Sequence, residues 1–271
     1  MSTSISAPTE STAAIGSGSQ TLMRGLDVLE AVARDVQGLP ELAQTLDLTR
    51  STAHRLASAL VDRGYLAFTP RLGYRLGPKL LELGHIAQGQ TDLIQVARPH
   101  IEALAAETED TVHLGVLDGD RALYLDKIAG RRRINISSRV GDRHRLTSTG
   151  LGKALLLDHA PAAWSVLFEA DQATGALPAD PSLWLTRMTA YAAAGRAYDL
   201  EENEDQIRCV AAPVRDARGR ITGAISVSSA GQYMDDARMT VLSQVVLDAA
   251  RAISRDLGWT EAPGAPMTRE T

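Results

Sequence analysis

Pro40-Glu41-Leu42-Ala43-Gln44-Thr45-Leu46-Asp47-Leu48-Thr49-Arg50-Ser51-Thr52-Ala53-His54-Arg55-Leu56-Ala57-Ser58-Ala59-Leu60-Val61-Asp62-Arg63-Gly64 is the stretch on which the reading of this chain turns. Proline suits a first helical turn, where its missing N–H costs nothing, so Pro40 opens a short helix that ends near Leu46. A break follows at Asp47-Leu48. Thr49 is a good N-cap, because its hydroxyl can accept a free N–H of the next turn, and Gly64 is a good terminator. The spacing therefore predicts a helix from about Arg50 to Arg63. On a 3.6-residue wheel Ala53, Leu56, Ala57, Leu60 and Val61 share one side. Ser51, Arg55 and Ser58 lie opposite, with Thr52 and His54 near the edges. One face packs inward; the other carries a guanidinium, hydroxyls and an imidazole, which suit base edges and phosphates, and Arg55 can grip a guanine through two hydrogen bonds. A lone amphipathic helix of this kind is more often a solvated surface, so its neighbours decide.

Leu22, Leu26, Leu29 and Ala33 recur at helical spacing upstream and predict a first helix. Downstream, Tyr65–Phe68 and Tyr74–Leu76 flank the turn-rich Thr69-Pro70-Arg71-Leu72-Gly73 and predict a hairpin. Helix, helix, turn, helix and hairpin in that order describe a winged helix-turn-helix, whose second motif helix enters the major groove while Arg71 at the hairpin tip reaches backbone or minor groove. The candidate DNA contacts are Arg24, Arg50, Ser51, Thr52, His54, Arg55, Ser58, Arg71 and Arg75. Gly77-Pro78 then opens a helix from Lys79 to about Ala87, and Gly89 marks a linker near Gln88–Thr91.

The rest alternates. Leu93–Glu107 reads as a helix, and Val112–Leu117 and Ala122–Lys127 as a hairpin around Asp118–Arg121. Ile134–Val140 reads as a strand, Gly152–Leu157 and Trp184–Ala194 as helices, Arg208–Val214 and Ile221–Ser228 as paired strands, and Met239–Leu257 as a closing helix. Antiparallel strands with flanking helices indicate an α+β domain. The expected organisation is a disordered tail at 1–19, a DNA-binding domain at 20–77, a linker helix at 78–92, a larger domain at 93–258 and a second tail at 259–271.

Composition sets the bounds. With 271 residues, 44% hydrophobic and 23% charged, the chain suits two globular domains. No apolar run nears the roughly 20 residues of a spanning helix, and no basic start leads into an apolar stretch, so neither a membrane partner nor a signal peptide is expected. Cys209 is the only cysteine, which rules out an internal disulfide and fits a reducing cytoplasm. A net charge of −5 excludes a wholly basic DNA-coating protein. Between Thr21 and Gly84, however, eight Arg/Lys stand against seven Asp/Glu, so the acidity lies elsewhere. Catalytic and cofactor motifs fail. Gly150-Leu151-Gly152-Lys153 mimics the end of a phosphate loop, but Thr147 and Ala154 stand where that motif needs Gly and Ser or Thr. The six histidines show no zinc spacing. No enzyme activity and no cofactor are expected. A Cys209-based redox sensor or enzyme is the alternative; it needs an exposed, acidic thiol.

Gly150-Leu151-Gly152 before an apolar helix offers approachable backbone N–H groups to an anion, with Ser148 and Thr149 beside them. Ser226 and Ser228, two apart on one strand, share a face, and Cys209 lies on the strand that precedes it. Arg139, His144 and Arg145 are nearby cationic candidates.

Leu22-Met23-Arg24-Gly25-Leu26-Asp27-Val28-Leu29-Glu30, Leu42-Ala43, Ser51–Leu56, Gly64-Tyr65-Leu66 and Tyr74–Gly77 together resemble the N-terminal domain of the IclR family of bacterial transcription regulators. Arg139-Val140-Gly141, Thr149–Leu155, Glu201-Glu202-Asn203 and Arg208–Pro213 resemble that family's effector domain, so the likeness spans about Gln20 to Gly258. One departure is Glu204-Asp205-Gln206-Ile207, where members often carry glycine before the Arg-Cys pair. The resemblance implies a GAF-like effector domain, a double-stranded DNA operator as partner, and a homodimer or homotetramer. It implies a small-molecule effector, a carboxylate such as a sugar acid or 2-keto acid, held by Gly150, Leu151, Asp199, Cys209, Ser226 and Ser228. Repression of a catabolic operon is the family's usual logic; activation by an aromatic acid is the alternative.

Overall fold

The structure is a computed structural model that describes residues 17–132, 136–174 and 180–261. It divides into two compact units, with the division between Gln90 and Thr91. The expected tails therefore fall largely outside the described residues.

The first unit runs α1 (Ser17–Ala33), α2 (Leu39–Thr45), α3 (Arg50–Asp62), β1 (Leu66–Thr69), β2 (Gly73–Leu76) and α4 (Pro78–Gln90). Its core is Val28, Ala31, Val32, Leu42, Leu56, Ala57, Leu66 and Tyr74. Ser17–Ser19 are helical rather than part of a tail. The packing face of α1 also differs from the Leu22-Leu26-Leu29-Ala33 stripe: Leu22 and Leu26 are exposed, with Val28, Ala31 and Val32 buried instead. The core reaches only the C-terminal half of α1, so the first turns project past it. Asp47 takes a left-handed φ of 50° between α2 and α3, which permits the tight turn. Thr49 then caps α3 by accepting from the Thr52 N–H at 3.2 Å. The hairpin is tied to the α1–α2 loop by a bond from the Tyr74 N–H to the Gln37 carbonyl at 2.9 Å. Gly73 allows it, since a Cβ there would lie 2.3 Å from that same oxygen. Helix α4 is continuous to Gln90, so the linker expected from Gln88 shrinks to Thr91-Asp92.

The second unit opens with α5 (Leu93–Thr108), capped by Asp92. Then come β3 (Thr111–Asp118), β4 (Arg121–Ile128), β5 (Arg143–Arg145), α6 (Gly150–Leu155), α7 (Pro161–Gln172), α8 (Pro181–Ala194), β6 (Ala197–Leu200), β7 (Ile207–Arg215), β8 (Ile221–Ala230) and α9 (Asp236–Asp256). The strands form one antiparallel sheet in the order β5-β4-β3-β8-β7-β6. Strand alternation divides its side chains between two faces. Val112, Leu114, Val210, Ala212, Val214, Ile225 and Val227 pack with α5 and α9. Ala122, Ala211 and Ala224 pack with Leu151, Trp164, Phe168, Trp184 and Met188 of α6–α8.

Three elements were not expected: α7, β5 and β6. One expected strand does not form among the described residues. Of Ile134–Val140, the first two residues lie outside the described ones and 136–140 are irregular. Their backbone is claimed by a side chain, because the Lys127 Nζ donates to the carbonyls of Ile136 and Ser138 at 2.7 and 2.6 Å. Helix α6 starts two residues earlier than Gly152 because Thr149 caps it, accepting from the Gly152 N–H. Among the described residues no helix is long and apolar enough to cross a membrane.

Candidate nucleic-acid interface and ligand cavity

Helix α3 keeps Ala53, Leu56 and Ala57 inside and leaves Arg50, Ser51, His54 and Arg55 exposed. Thr52 and Ser58 are only half-exposed, and the Thr52 hydroxyl is already engaged with the cap, 2.8 Å from Thr49 Oγ1. Arg24 on α1 and Arg71 and Arg75 on the hairpin are exposed too. Arg71 sits at the tip in the left-handed region, φ 71°. Among the described residues none of Arg24, Arg50, Arg55, Arg71 and Arg75 forms an ion pair, whereas Arg34 is bound to Glu30. These guanidiniums are free to meet phosphate without first losing a carboxylate partner.

In the second unit, the sheet face that packs against α6–α8 turns polar beyond that apolar core. Cross-strand pairs set this up: Asp199 lies opposite Cys209, Cys209 opposite Ser228, and His113 opposite Ser226. Leu114 pairs with Asp126 and Gly115 with Tyr124, so Leu125 is an extra residue on β4, and this bulge lets β4 present both Tyr124 and Lys127 toward this side. Over these strands stands a cavity of about 320 Å³, within the size range of ligand pockets. All six residues expected to bind ligand, Gly150, Leu151, Asp199, Cys209, Ser226 and Ser228, line it. His144 lines it as well. Arg139 and Arg145 do not: Arg139 is exposed and its N–H binds the Asp142 carboxylate, while the Arg145 guanidinium turns to Thr174 and Asp171.

The floor is a chain of hydrogen-bonding groups. Ser138 Oγ lies 2.8 Å from His113 Nε2, and His113 Nδ1 lies 3.5 Å from Ser228 Oγ. Ser228 Oγ is 3.0 Å from Cys209 Sγ, which is 3.9 Å from Asp199 Oδ2. The other Asp199 oxygen accepts the N–H groups of Glu202 and Asn203 at 2.8 and 3.4 Å. Burial dominates the electrostatics here. It pushes the Asp199 carboxyl up to about 6, against the pull of Lys153, and the His113 imidazole down to about 3. It also raises the Cys209 thiol well above its ordinary value, with Asp199 adding to the effect. A thiol held protonated in this way is a poor nucleophile and a poor redox sensor. His144 Nε2 is buried with no hydrogen-bond partner, so it is a polar atom left for a ligand. The buried Lys153 is satisfied elsewhere, by the Tyr198 carbonyl at 2.9 Å and by an ion pair with Glu202. No cluster among the described residues can hold a metal ion.

These two surfaces can be set beside known proteins. The IclR helix-turn-helix domain matches residues 21–70 and the bacterial transcriptional regulator IclR C-terminal domain matches residues 85–255. The chain belongs to the IclR family. The HTH-type transcriptional regulator XynR of Escherichia coli is 35% identical over 246 residues, which cover 89% of this chain and 98% of that protein. The crystal structure of the Agrobacterium tumefaciens repressor BlcR aligns with a TM-score of 0.75 at 25% identity, covering 89% of this chain and 97% of that one. The structure of Pseudomonas aeruginosa HmgR aligns at 0.78 with 23% identity, covering 89% and 98%, and shows the shared fold. As an IclR-family member, the protein is a DNA-binding transcription regulator.

Several cavity residues escaped the sequence reading: His113, Tyr124, Ser138, Asn203 and Glu204. His113 had a visible signal, a polar residue between Val112 and Leu114 in a strand. Tyr124 and Ser138 had none, since the bulge and the Lys127 tether that place them are tertiary features.

Proposed function

We propose that this protein represses a catabolic operon and releases it when a small carboxylate metabolite, such as a sugar acid or 2-keto acid, fills the cavity of the second unit. In this reading residues 20–77 read DNA, 78–92 link, and 93–258 bind effector and oligomerise. Convergence of the six nominated residues on one cavity carries the reading. The N–H groups of Gly150 and Leu151 at the start of α6 and His144 Nε2, which has no hydrogen-bond partner and lies 3.9 Å from the Asp142 carboxylate, suit a carboxylate, while Ser226, Ser228 and Asp199 suit hydroxyls. BlcR is described as a repressor, which supports the sign. Arg55 and its neighbours on α3 contact the operator, with Arg71 as the wing contact. Two subunits place their α3 helices in successive major grooves of a near-palindrome. Exposed Leu22, Met23 and Leu26 on α1, and Leu81, Leu83 and Ile86 on α4, are suited to subunit contacts.

Selection of genomic fragments by the purified protein, followed by footprinting, tests the reading. The expected result is a preferred site with two half-sites separated by about one or more helical turns, weakened by Arg55→Ala and released by one small acid in the wild type. Asp199→Ala and Cys209→Ser should retain the site and lose the release. No preferred fragment would overturn the DNA half; full release in both variants would overturn the cavity assignment.

A further inference from the structure

The cavity has an unusual charge balance for an acid-binding site. Two carboxyl groups line it, Asp199 and Glu204, and among the described residues no lysine or arginine does. The nearest buried cation, Lys153 on α6, is held by Glu202, which also accepts from Arg187 at 3.3 Å. The two imidazoles at the cavity, His113 and His144, are both held below their ordinary range by burial, so neither supplies a charge near neutrality. The remaining titratable neighbours of Asp199 are the Cys209 thiol on β7 and the Tyr124 and Tyr191 phenols on β4 and α8, all pushed upward and therefore neutral. A ligand carboxylate entering here meets two like charges and no counter-ion. Glu204 is half-exposed and its Oε2 accepts from Ser137 at 3.2 Å, so solvent screens it. Asp199 is buried, and its Oδ2 has only the long contact from the Cys209 thiol.

Resting on the carboxylate-effector reading above, we propose that the cavity takes a monoanion together with one proton carried by Asp199, and discriminates against dicarboxylates. Protonation removes the like charge and turns Oδ2 from an acceptor into a donor aimed at the ligand. The balance is simple: one proton moves from solvent to Asp199, and the bound pair carries the charge of the monoanion alone. A second ligand carboxylate finds neither a proton nor a cation. Bound anion stabilises the protonated form, so affinity falls as pH rises beyond the range where free Asp199 titrates, by up to about tenfold per pH unit.

Isothermal titration calorimetry on the full chain tests this with matched pairs: gluconate and glucarate, pyruvate and oxaloacetate, benzoate and phthalate. Titrations at pH 7.5 in buffers of different ionisation enthalpy report the protons taken up. The expected result is binding of a monoacid with uptake approaching one proton per subunit, at least tenfold weaker binding of its diacid partner, and affinity declining with pH. Asp199→Asn, a neutral isostere whose retained second-unit transition in differential scanning calorimetry serves as the folding check, should abolish the uptake and the pH slope. A monoacid that binds without proton uptake, or a diacid that binds as well, overturns this inference and leaves the carboxylate reading intact. If no acid binds, the carboxylate reading falls and takes this inference with it.

Discussion

The outward face of α3 and the floor of the cavity are built from the same kinds of side chain under opposite conditions. On α3, Ser51, His54 and Arg55 stand in water, and no ion pair ties the arginine. In the cavity, Ser226, Ser228, His113 and Asp199 are buried, and the last three are hydrogen-bonded to protein. A polyanion such as DNA is met by mobile, permanently charged, solvated groups that shed counter-ions on contact. A small ligand is met by groups already desolvated and fixed, where displaced titrations carry the discrimination. One unit is therefore expected to respond to salt, the other to pH.

The strongest way to separate the units is to break one backbone contact in each. Gly77→Ala would set a Cβ 2.1 Å from the Gly64 carbonyl oxygen, and Gly152→Ala would set one 2.6 Å from Leu146 Cα. Both neighbours are backbone, so neither can swing aside. Each substitution should cost its own unit at least about 3 kcal/mol. In differential scanning calorimetry the two variants should lower different transitions; loss of both transitions together in either variant would show that the units are not independent.

The buried titrations sharpen the contrast next. The Asp199 carboxyl is raised from 3.8 to about 6 in the folded protein. Its contribution to stability is present below pH 4 and is lost as pH rises through 6, leaving a net cost at pH 8. Asp199→Asn should then stabilise the second unit by about 1–3 kcal/mol at pH 8 and by nothing below pH about 4, as read from urea unfolding across pH. His113 acts in the other direction. Its value falls from 6.5 to about 3, so it costs stability as pH drops through that window, and His113→Asn should flatten that acid limb.

At the DNA face the expected effects are smaller or similar, and they appear in binding. Arg55→Ala should weaken specific operator binding by about 1–3 kcal/mol with ligand affinity unchanged. Unchanged operator affinity would remove Arg55 from the readout. Thr49→Ala removes the cap of α3 and should cost about 1 kcal/mol of first-unit stability, with a correspondingly slight loss of operator affinity.

The two regions also differ in how far the sequence disclosed them. The α3 face was legible because a helix states its own orientation: Thr49, the apolar 3.6-residue pattern and Gly64 are all local. The hairpin was legible from its turn residues. On α1 the same periodicity misled, because which stripe is buried depends on how far α2 and α3 reach along it. The cavity is a cross-strand object. Residue resemblance named Asp199, Cys209, Ser226 and Ser228, yet the facts that place them together are pairing registers no single strand encodes. Strand β6, which carries Asp199, is four residues long and too short for alternation to show. Strand β5 is Arg-His-Arg, without an apolar residue, and is held by bonds of the Tyr124 backbone to Asp142 and Gly141. Helix α7 was findable: Pro161 at its start with Trp164 and Phe168 four apart and buried is a helix signature.

In the proposed function, ligand in the second unit governs DNA binding by the first. Fluorescence anisotropy on DNA upstream of the protein's own gene, with scrambled DNA as control, measures it directly when small acids are added to wild type, Asp199→Ala and Arg55→Ala. The expected result is selective, salt-sensitive binding by wild type that one acid alters. Asp199→Ala should bind the same DNA and ignore the acid, and Arg55→Ala should bind the DNA about 1–3 kcal/mol more weakly while still binding the acid by calorimetry. An acid response that survives in Asp199→Ala, or operator affinity unchanged in Arg55→Ala, would contradict this coupling.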